Sequence, residues 1–196
     1  MAKRAVDVFA AGLGVAVTSP LMLLAAVAVK LTSPGPVIFR QTRVGRGGDT
    51  FEILKFRTMR AGAPGAQVTA GHDPRITQVG AWLRSTKVDE LPQLINVLRG
   101  DMSLVGPRPE VPRYVAEWPV EQRHQILSVR PGITDPASIE FRREAEELAG
   151  VDDPEAHYVS VILPRKVELY CDYVATQSFV GDLKILLRTL RTVAGD

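Results

Sequence analysis

The sequence predicts a mostly α-helical α+β fold, with a kinked, re-entrant N-terminal membrane helix followed by a small cytoplasmic domain. That domain is expected to contain a short β-hairpin and amphipathic interfacial helices. Three observations predict this fold: an uncharged 20-residue run from Ala10 to Val29, a glycine-rich turn between two strand-like runs, and helically spaced leucines further on. A length of 196 residues fits one membrane segment, residues 1–33, and one domain, residues 34–196.

The membrane segment is predicted from its length and composition. Thr18 and Ser19 are its only polar residues, and about 20 apolar residues in a helix match a hydrocarbon core of roughly 30 Å. The run is longer than the apolar part of a usual signal peptide and no small-residue cleavage site follows it. We therefore expect a retained membrane helix, with a cleaved signal peptide or a buried core helix as the alternatives.

The middle of this segment predicts a bend. Pro20 removes one backbone donor and its ring clashes with the carbonyl of Ala16, while the Ser19 hydroxyl can bond to a freed carbonyl. Basic residues lie on both sides of the segment, which favours keeping both ends on the cytoplasmic side; they are Lys3, Arg4, Lys30, Arg40, Arg43 and Arg46. A helix that enters and leaves by one leaflet satisfies both observations. The alternative is one kinked spanning helix.

The remaining elements follow from turn residues and periodicity. Residues 37–40 and 51–56 flank the glycine-rich turn 45–48 and predict a hairpin, and 60–74 reads as a loop. The apolar spacing of residues 91, 94, 95 and 98 predicts a helix that ends at Arg99-Gly100. Further helices are predicted over 110–117, 120–128, 138–149, 153–176 (interrupted near Pro164) and 179–193. Their apolar faces are expected to form the core or to dock on a bilayer surface.

Charge and absent motifs limit the function. Residues 1–109 carry 14 Lys and Arg against 7 Asp and Glu, whereas residues 110–196 carry 10 against 15. A basic first half predicts an anionic partner, but the basic groups lack the interleaved aromatic residues typical of nucleic-acid binding. There is no phosphate-binding loop, dinucleotide fingerprint, nucleophile elbow or D-x-D motif. The single cysteine and the three scattered histidines, His72, His124 and His157, have no metal-ligand spacing.

The strongest candidate for chemistry is the adjacent pair Asp89 and Glu90. Pro92 is tolerated only in the first turn of a helix, which puts both acids at a helix N-terminus, where a carboxylate stays ionised and phosphate is attracted. Neighbouring helical residues point about 100° apart. One acid can therefore attack while the other holds a metal or a proton. The simpler interpretation is that both acids only cap the helix.

Basic residues near this pair predict phosphate binding. Arg108 lies between Pro107 and Pro109, and this stiff segment presents its guanidinium at a low entropy cost. The other candidates are Lys55 and Arg57 on one strand face, Arg84 just before the acids, and Arg130 in a second stiff turn. Each residue alone is typical of a solvated surface charge; together they surround one carboxylate pair beside a membrane segment.

These residues form motifs that resemble the bacterial sugar transferases, the monotopic phosphoglycosyl transferases of polysaccharide and glycoprotein assembly. The resemblance covers about residues 1–135, and the chain resembles the small form of the family. Its motifs are Asp7, Ser19-Pro20, KFRTM at 55–59, DELPQLINVLRGDMSLVGPRP at 89–109 and RPGIT at 130–134.

The resemblance implies an activity. Members move a sugar 1-phosphate from a UDP-sugar to a polyprenol phosphate, normally undecaprenyl phosphate, and release UMP with the help of Mg²⁺. It implies that Asp89 is the nucleophile, that Glu90 serves the metal together with Asp89, and that the Ser19-Pro20 break makes the membrane helix re-entrant. It also implies that the protein lies in the bacterial inner membrane, with its catalytic domain facing the cytoplasm, and contacts membrane lipids. A homodimer is compatible with the resemblance.

The C-terminal third departs from the family pattern. After Thr134 many members continue with a Gly-Trp-Ala-Gln-like stretch, but here Asp135-Pro136-Ala137 follows, and Tyr170 stands where many have an aspartate, with Asp172 displaced. This region would contact the nucleotide or the sugar. Two other functions remain open from the sequence: a non-catalytic membrane scaffold that binds anionic lipid, and a phosphatase with an aspartyl nucleophile.

Overall fold

The computed structural model describes residues 2–62 and 73–194, with side chains described as far as Thr192. These residues form a mostly helical α+β fold with two short sheets, which confirms the predicted fold class at this level. The predicted loop 60–74 falls mostly on residues 63–72, and these, with His72, lie outside the described residues.

The N-terminal helix α1 runs from Ala2 to Thr32 with Pro20 inside it. The Ser19 hydroxyl donates to the Ala16 carbonyl at 2.9 Å, the acceptor that Pro20 leaves without its usual donor. Within the described residues, α1 is the one helix long and apolar enough to cross a membrane. One face is buried and the other is exposed; the exposed face includes Phe9, Leu13, Val17, Leu24 and Leu31.

Both ends of α1 contact the same globular domain. Near the start of the helix, the buried Asp7 carboxylate accepts a hydrogen bond from the Ser103 hydroxyl at 2.8 Å. At the far end, the Arg57 guanidinium donates to the Ser33 carbonyl at 2.7 Å and to its hydroxyl at 2.8 Å. The domain therefore holds the helix at two places more than 20 residues apart.

The predicted β-hairpin is confirmed. Strands β1, Ile38–Val44, and β2, Thr50–Phe56, pair antiparallel from Ile38 opposite Phe56 to Val44 opposite Thr50. Gly47 and Gly48 lie in the connecting turn at φ 75° and 90°, which glycine adopts without steric cost.

The segment that carries the acidic pair follows the hairpin. Helix α2, Gln78–Ser85, was not predicted; its N-terminus is capped by Thr77, whose hydroxyl accepts from the Gly80 amide at 2.9 Å. Helix α3, Gln93–Arg99, ends at Gly100 with φ 99°, as predicted. The prediction that the acids belong to the first turn of this helix is wrong in detail, because they lie in a separate 3₁₀ turn, Val88–Glu90, just before it.

A second, parallel sheet joins two segments that the sequence left unassigned. Strand β3, Ser103–Val105, pairs with β4, Gly132–Thr134, in the register Ser103 to Gly132 and Val105 to Thr134. A Cβ at Gly132 would lie 2.1 Å from the amide nitrogen of Gly106, so only glycine fits there. This close approach brings the two proline-stiffened arginine turns together.

The remaining regular elements of the described chain are helices. The segment predicted as one helix over 138–149 forms two helices. The interruption predicted near Pro164 is a π-helical turn, Tyr158–Ile162, which ends just before this proline. The helices are α4 Pro112–Ala116, α5 Val120–Ile126, α6 Pro136–Glu140, α7 Glu144–Ala149, α8 Pro154–His157, α9 Leu163–Thr176 and α10 Phe179–Ala194. The largest core cluster lies between α4, α5 and α9. Helix α10 keeps an exposed apolar face, formed by Phe179, Leu183, Leu187 and Leu190.

Candidate active site

Asp89 is a buried carboxylate without a partner on one oxygen. Asp89 is 7% exposed, and its Oδ1 atom has no hydrogen-bond partner within the part of the chain that the structure describes. Burial raises its pKa above the ordinary aspartate value, and the neighbouring Glu90 charge raises it further. Lys55, Lys87 and Arg84 act in the opposite direction. The result is a desolvated carboxyl group whose charge depends on nearby cations.

Glu90 is held by two cations. The Lys55 ammonium donates to its Oε1 at 2.8 Å, and the Arg108 guanidinium donates to Oε1 at 2.5 Å and to Oε2 at 3.4 Å. Burial alone would raise the pKa of Glu90, but Arg108 and Lys55 lower it well below its usual value. Glu90 is therefore ionised, whereas the pKa of its neighbour Asp89 is raised.

Arg108 approaches the acidic pair from the loop after β3. The prolines on either side lock φ and offer no amide donor, so this segment is stiff, as predicted. Its guanidinium also donates to the Ile133 carbonyl at 3.5 Å, which ties it to β4. The Glu90 charge raises the pKa of Arg108.

Lys55 contacts Glu90 from β2, and Arg84 acts electrostatically on both acids from α2. Burial lowers the pKa of Lys55, near the end of β2, although the adjacent Glu90 opposes this. Arg84, on α2, donates from Nε to the Thr58 hydroxyl at 2.8 Å; burial lowers its pKa, and Asp89 opposes this most strongly. A lysine has three donors and an arginine five, so these contacts leave donors for a phosphate.

Arg57 and Arg130 have other partners. Arg57 is 5% exposed and binds the end of α1 through Ser33, as described above. Arg130 donates from Nε to the Gly100 carbonyl at 2.8 Å and lines a cavity of about 260 Å³ with Lys3, Arg4 and Arg46. Their predicted role in substrate binding remains a prediction, and of the five basic residues predicted for the site the structure groups Lys55, Arg84 and Arg108 with the acids.

The structure adds residues that sequence reasoning did not select. Lys87, the one non-glycine residue with positive φ among the described residues (58°), acts electrostatically on Asp89. Asp135 is fully buried, caps α6 by accepting from the Ala137 amide at 2.7 Å, and raises the pKa of Arg108. The Asp135-Pro136 pair is a helix-start signal that could have placed it. Tyr170 is fully buried, and its hydroxyl has no hydrogen-bond partner in the described part of the chain, whereas Asp172 is exposed.

Two carboxylates are the available metal ligands at this site. No group of three or more His, Cys, Asp or Glu side chains able to hold a metal occurs among the described residues. Mg²⁺ commonly takes only one or two protein carboxylates and completes its shell with water and substrate phosphates. The unpartnered Oδ1 of Asp89 fits that donor set, and the ionised Glu90 would complete it by exchanging a contact with Lys55 or Arg108 for the metal.

A carboxylate pair surrounded by cations, beside an exposed apolar helix, is the kind of site that handles phosphate groups at a membrane. The whole chain, residues 1–196, matches the family described as bacterial sugar transferase, and the protein therefore belongs to that family.

Curated relatives agree with this assignment. A Caulobacter vibrioides protein named UDP-glucose:undecaprenyl-phosphate glucose-1-phosphate transferase is 43% identical over 201 residues, which cover 96% of this chain and 68% of its own. An Aeromonas hydrophila protein named UDP-N-acetylgalactosamine-undecaprenyl-phosphate N-acetylgalactosaminephosphotransferase is 40% identical over 97% of this chain, but only 43% of its own. An exopolysaccharide production protein of Rhizobium leguminosarum is 39% identical over 96% of this chain and 92% of its own.

Proposed function

We propose that this protein transfers a sugar 1-phosphate from a UDP-sugar to undecaprenyl phosphate at the membrane surface, through a covalent intermediate on Asp89, and releases UMP. The observation that carries the proposal is the buried, unpartnered carboxylate oxygen of Asp89 beside Glu90, which Lys55 and Arg108 hold in place. Membership of the bacterial sugar transferase family and the names of the relatives support the same class of reaction.

In the first step, a carboxylate oxygen of Asp89 attacks the sugar-bearing phosphorus of the UDP-sugar. A bond forms between that oxygen and phosphorus, and the bond from phosphorus to the bridging oxygen breaks. UMP leaves with the bridging oxygen and its electron pair. The ionised form of Asp89 is required, and the cations around it favour that form against the effect of burial.

In the second step, a phosphate oxygen of undecaprenyl phosphate attacks the same phosphorus. The new phosphate–phosphate bond forms as the bond to Asp89 breaks, and the carboxylate is regenerated. Dividing the transfer into two displacements lets a soluble substrate and a lipid substrate use one nucleophile in turn.

The cations have a defined task in both steps. Most catalysis of phosphoryl transfer is positioning and stabilisation of charge on the phosphoryl oxygens. Arg108 and Lys55 offer donors where Glu90 holds them beside Asp89, and Arg84 acts electrostatically on Asp89. When bound by Asp89 and Glu90, Mg²⁺ would neutralise charge on the substrate phosphates.

The attachment of α1 supports a re-entrant arrangement. If α1 crossed the bilayer, one of its ends would lie away from the domain, yet Asp7 and Ser33 both contact it. The exposed apolar faces of α1 and α10 supply surface for the lipid. Basic residues at both ends of α1 favour the cytoplasmic side of the inner membrane. In this arrangement the active site stays at the lipid–water boundary, where both substrates can reach it.

The competing functions explain less of the site. A scaffold that binds anionic lipid has no use for a buried carboxylate with a raised pKa. A phosphatase would hydrolyse its substrate without a lipid acceptor. The sugar itself is left open, since the relatives named above use glucose in one case and N-acetylgalactosamine in the other.

The test is an assay of UMP release by the protein in nanodiscs. UDP-glucose and UDP-N-acetylgalactosamine are supplied in turn, with and without undecaprenyl phosphate and with Mg²⁺. We expect steady turnover only when the lipid is present, and its loss in Asp89→Asn. Lipid-independent hydrolysis would favour the phosphatase, and full turnover by Asp89→Asn would exclude the proposed nucleophile.

A further inference from the structure

Gln93 is a fully buried amide without hydrogen bonds. It is the first residue of α3, its side chain is 0% exposed, and neither Oε1 nor Nε2 has a partner within the described residues. Burying an amide without partners costs free energy, so proteins rarely leave both of its polar atoms unpaired. The side chain is therefore arranged for a partner that the described residues do not supply.

Asn96, on the same helix, shows what a structural amide looks like in this fold. It is also fully buried, but its Nδ2 donates to the Glu52 carbonyl at 2.8 Å and to Asp101 at 3.1 Å. Its Oδ1 accepts from the Leu54 amide at 3.0 Å. Asn96 thus joins α3 to β2 with every polar atom used, whereas Gln93 uses none.

Gln93 lies one helical turn after the proposed nucleophile. Leu91 and Pro92, which connect the 3₁₀ turn to α3, both have right-handed helical backbone angles. Positions 89 and 93 therefore lie close together along one stretch of helical backbone, with position 89 in its 3₁₀ part and position 93 at the start of its α-helical part. Asp89 carries the other unpartnered buried oxygen of this segment, on Oδ1.

The chemistry of the two groups indicates one shared ligand. A carboxylate only accepts hydrogen bonds, whereas a glutamine amide has two N–H donors and one acceptor oxygen. A phosphoryl group presents acceptor oxygens to the amide and phosphorus to the carboxylate. A neutral donor also stabilises those oxygens without a further buried charge.

We propose that Gln93 is a catalytic residue that binds the phosphoryl group under attack, with Nε2 donating to a non-bridging oxygen of the phosphorus that Asp89 attacks. This assignment rests on the proposed function, because it takes Asp89 as the nucleophile. It adds a neutral donor to the cations Arg108, Lys55 and Arg84.

The test uses Gln93→Met, which keeps the length of the side chain and removes both unpaired polar groups. The protein is studied in nanodiscs, with UDP-glucose and UDP-N-acetylgalactosamine as the probes. We expect kcat/KM for UMP release to fall about 100-fold. We also expect the melting temperature without ligand to stay equal or rise, since Gln93 makes no side-chain hydrogen bond to the described residues. Asn96→Leu is the matched variant and should melt at a lower temperature.

A binding readout separates this proposal from the proposed function. The UDP-sugar should raise the melting temperature of the wild type and should do so much less for Gln93→Met. A wild type that shows this Gln93-dependent shift but no lipid-dependent turnover would contradict the proposed function alone. The Gln93 proposal is overturned if Gln93→Met melts as low as Asn96→Leu, if it keeps at least half of the wild-type kcat/KM, or if its ligand-induced shift equals that of the wild type.

Discussion

The Arg108 guanidinium binds the Glu90 carboxylate through both of its terminal nitrogens, at 2.5 Å from Nη2 to Oε1 and 3.4 Å from Nη1 to Oε2. This two-point contact fixes the plane of the guanidinium as well as its position. It joins the loop after β3 to the 3₁₀ turn that carries Asp89.

Replacing Arg108 by lysine should therefore lower activity although the charge is kept. A lysine ammonium cannot reproduce the two parallel bonds, and we expect kcat/KM for UMP release to fall by about 100-fold. The control is Arg99→Lys on the exposed end of α3, which should keep activity within about twofold. Equal activity of the two variants would show that the planar contact has no catalytic role.

The acid limb of the pH profile should report Asp89. Burial raises its pKa above the usual aspartate value, and only its ionised form attacks phosphorus. Thus kcat/KM should fall as the pH drops through this raised pKa. The exposed Lys87 lowers the pKa of Asp89, so Lys87→Gln should move the acid limb to higher pH.

The measurement is kcat/KM for UMP release across pH for the wild type, Lys87→Gln and Lys184→Gln. Lys184 is exposed on α10 and serves as the charge-matched control, with no expected movement of the limb. A limb that moves to lower pH in Lys87→Gln, or moves equally in both variants, would contradict the assignment to Asp89.

The contact between Asp7 and Ser103 should stabilise the docked position of α1. The carboxylate accepts from the Ser103 hydroxyl at 2.8 Å and from the Leu104 amide at 3.2 Å, and Asp7 is 5% exposed. Asp7→Ala leaves the buried Ser103 hydroxyl and the half-buried Leu104 amide without this acceptor and should cost about 1–3 kcal/mol of stability.

A double-mutant cycle isolates this contact. Thermal or denaturant unfolding is measured in nanodiscs for Asp7→Ala, Ser103→Ala and the double variant. We expect the double variant to lose less stability than the sum of the two single losses. Strict additivity would mean that the two side chains do not interact.

The topology of α1 can be tested by cysteine labelling. Ala2 and Thr32 are exposed at the two ends of the helix, and Cys171 is the only native cysteine. In a Cys171→Ser background, Ala2→Cys and Thr32→Cys should both react with an impermeant reagent in inside-out vesicles, and neither in right-side-out vesicles. Labelling from opposite faces would establish a spanning helix.

Local signals in the sequence predicted much of the fold. The glycine-rich turn placed the hairpin, the spacing of residues 91 to 98 placed α3, and Gly100 placed its end. The parallel pair β3–β4 was missed because each strand has three residues and its partner lies almost 30 residues away in the chain. Such a pairing leaves no periodic pattern to detect.

Local signals in the sequence also predicted part of the site. Residues of one contiguous motif, Asp89, Glu90 and Arg108, are together, and Lys55 joins them from β2. Arg57 could not be told apart from Lys55 in the sequence, since strand alternation is equal for both, yet it binds Ser33 instead. That Gln93 has no hydrogen-bond partner among the residues that the structure describes depends on how α3 packs, which composition and spacing do not encode.

The central claim is that Asp89 becomes covalently bound to phosphorus. The most direct measurement is mass spectrometry of the protein quenched after reaction with UDP-glucose or UDP-N-acetylgalactosamine in the absence of lipid acceptor. We predict a sugar-phosphate adduct on the peptide that contains Asp89, with one UMP released per adduct and no adduct in Asp89→Asn. Lipid-dependent turnover with no adduct on this peptide, or with the adduct on another residue, would contradict the account.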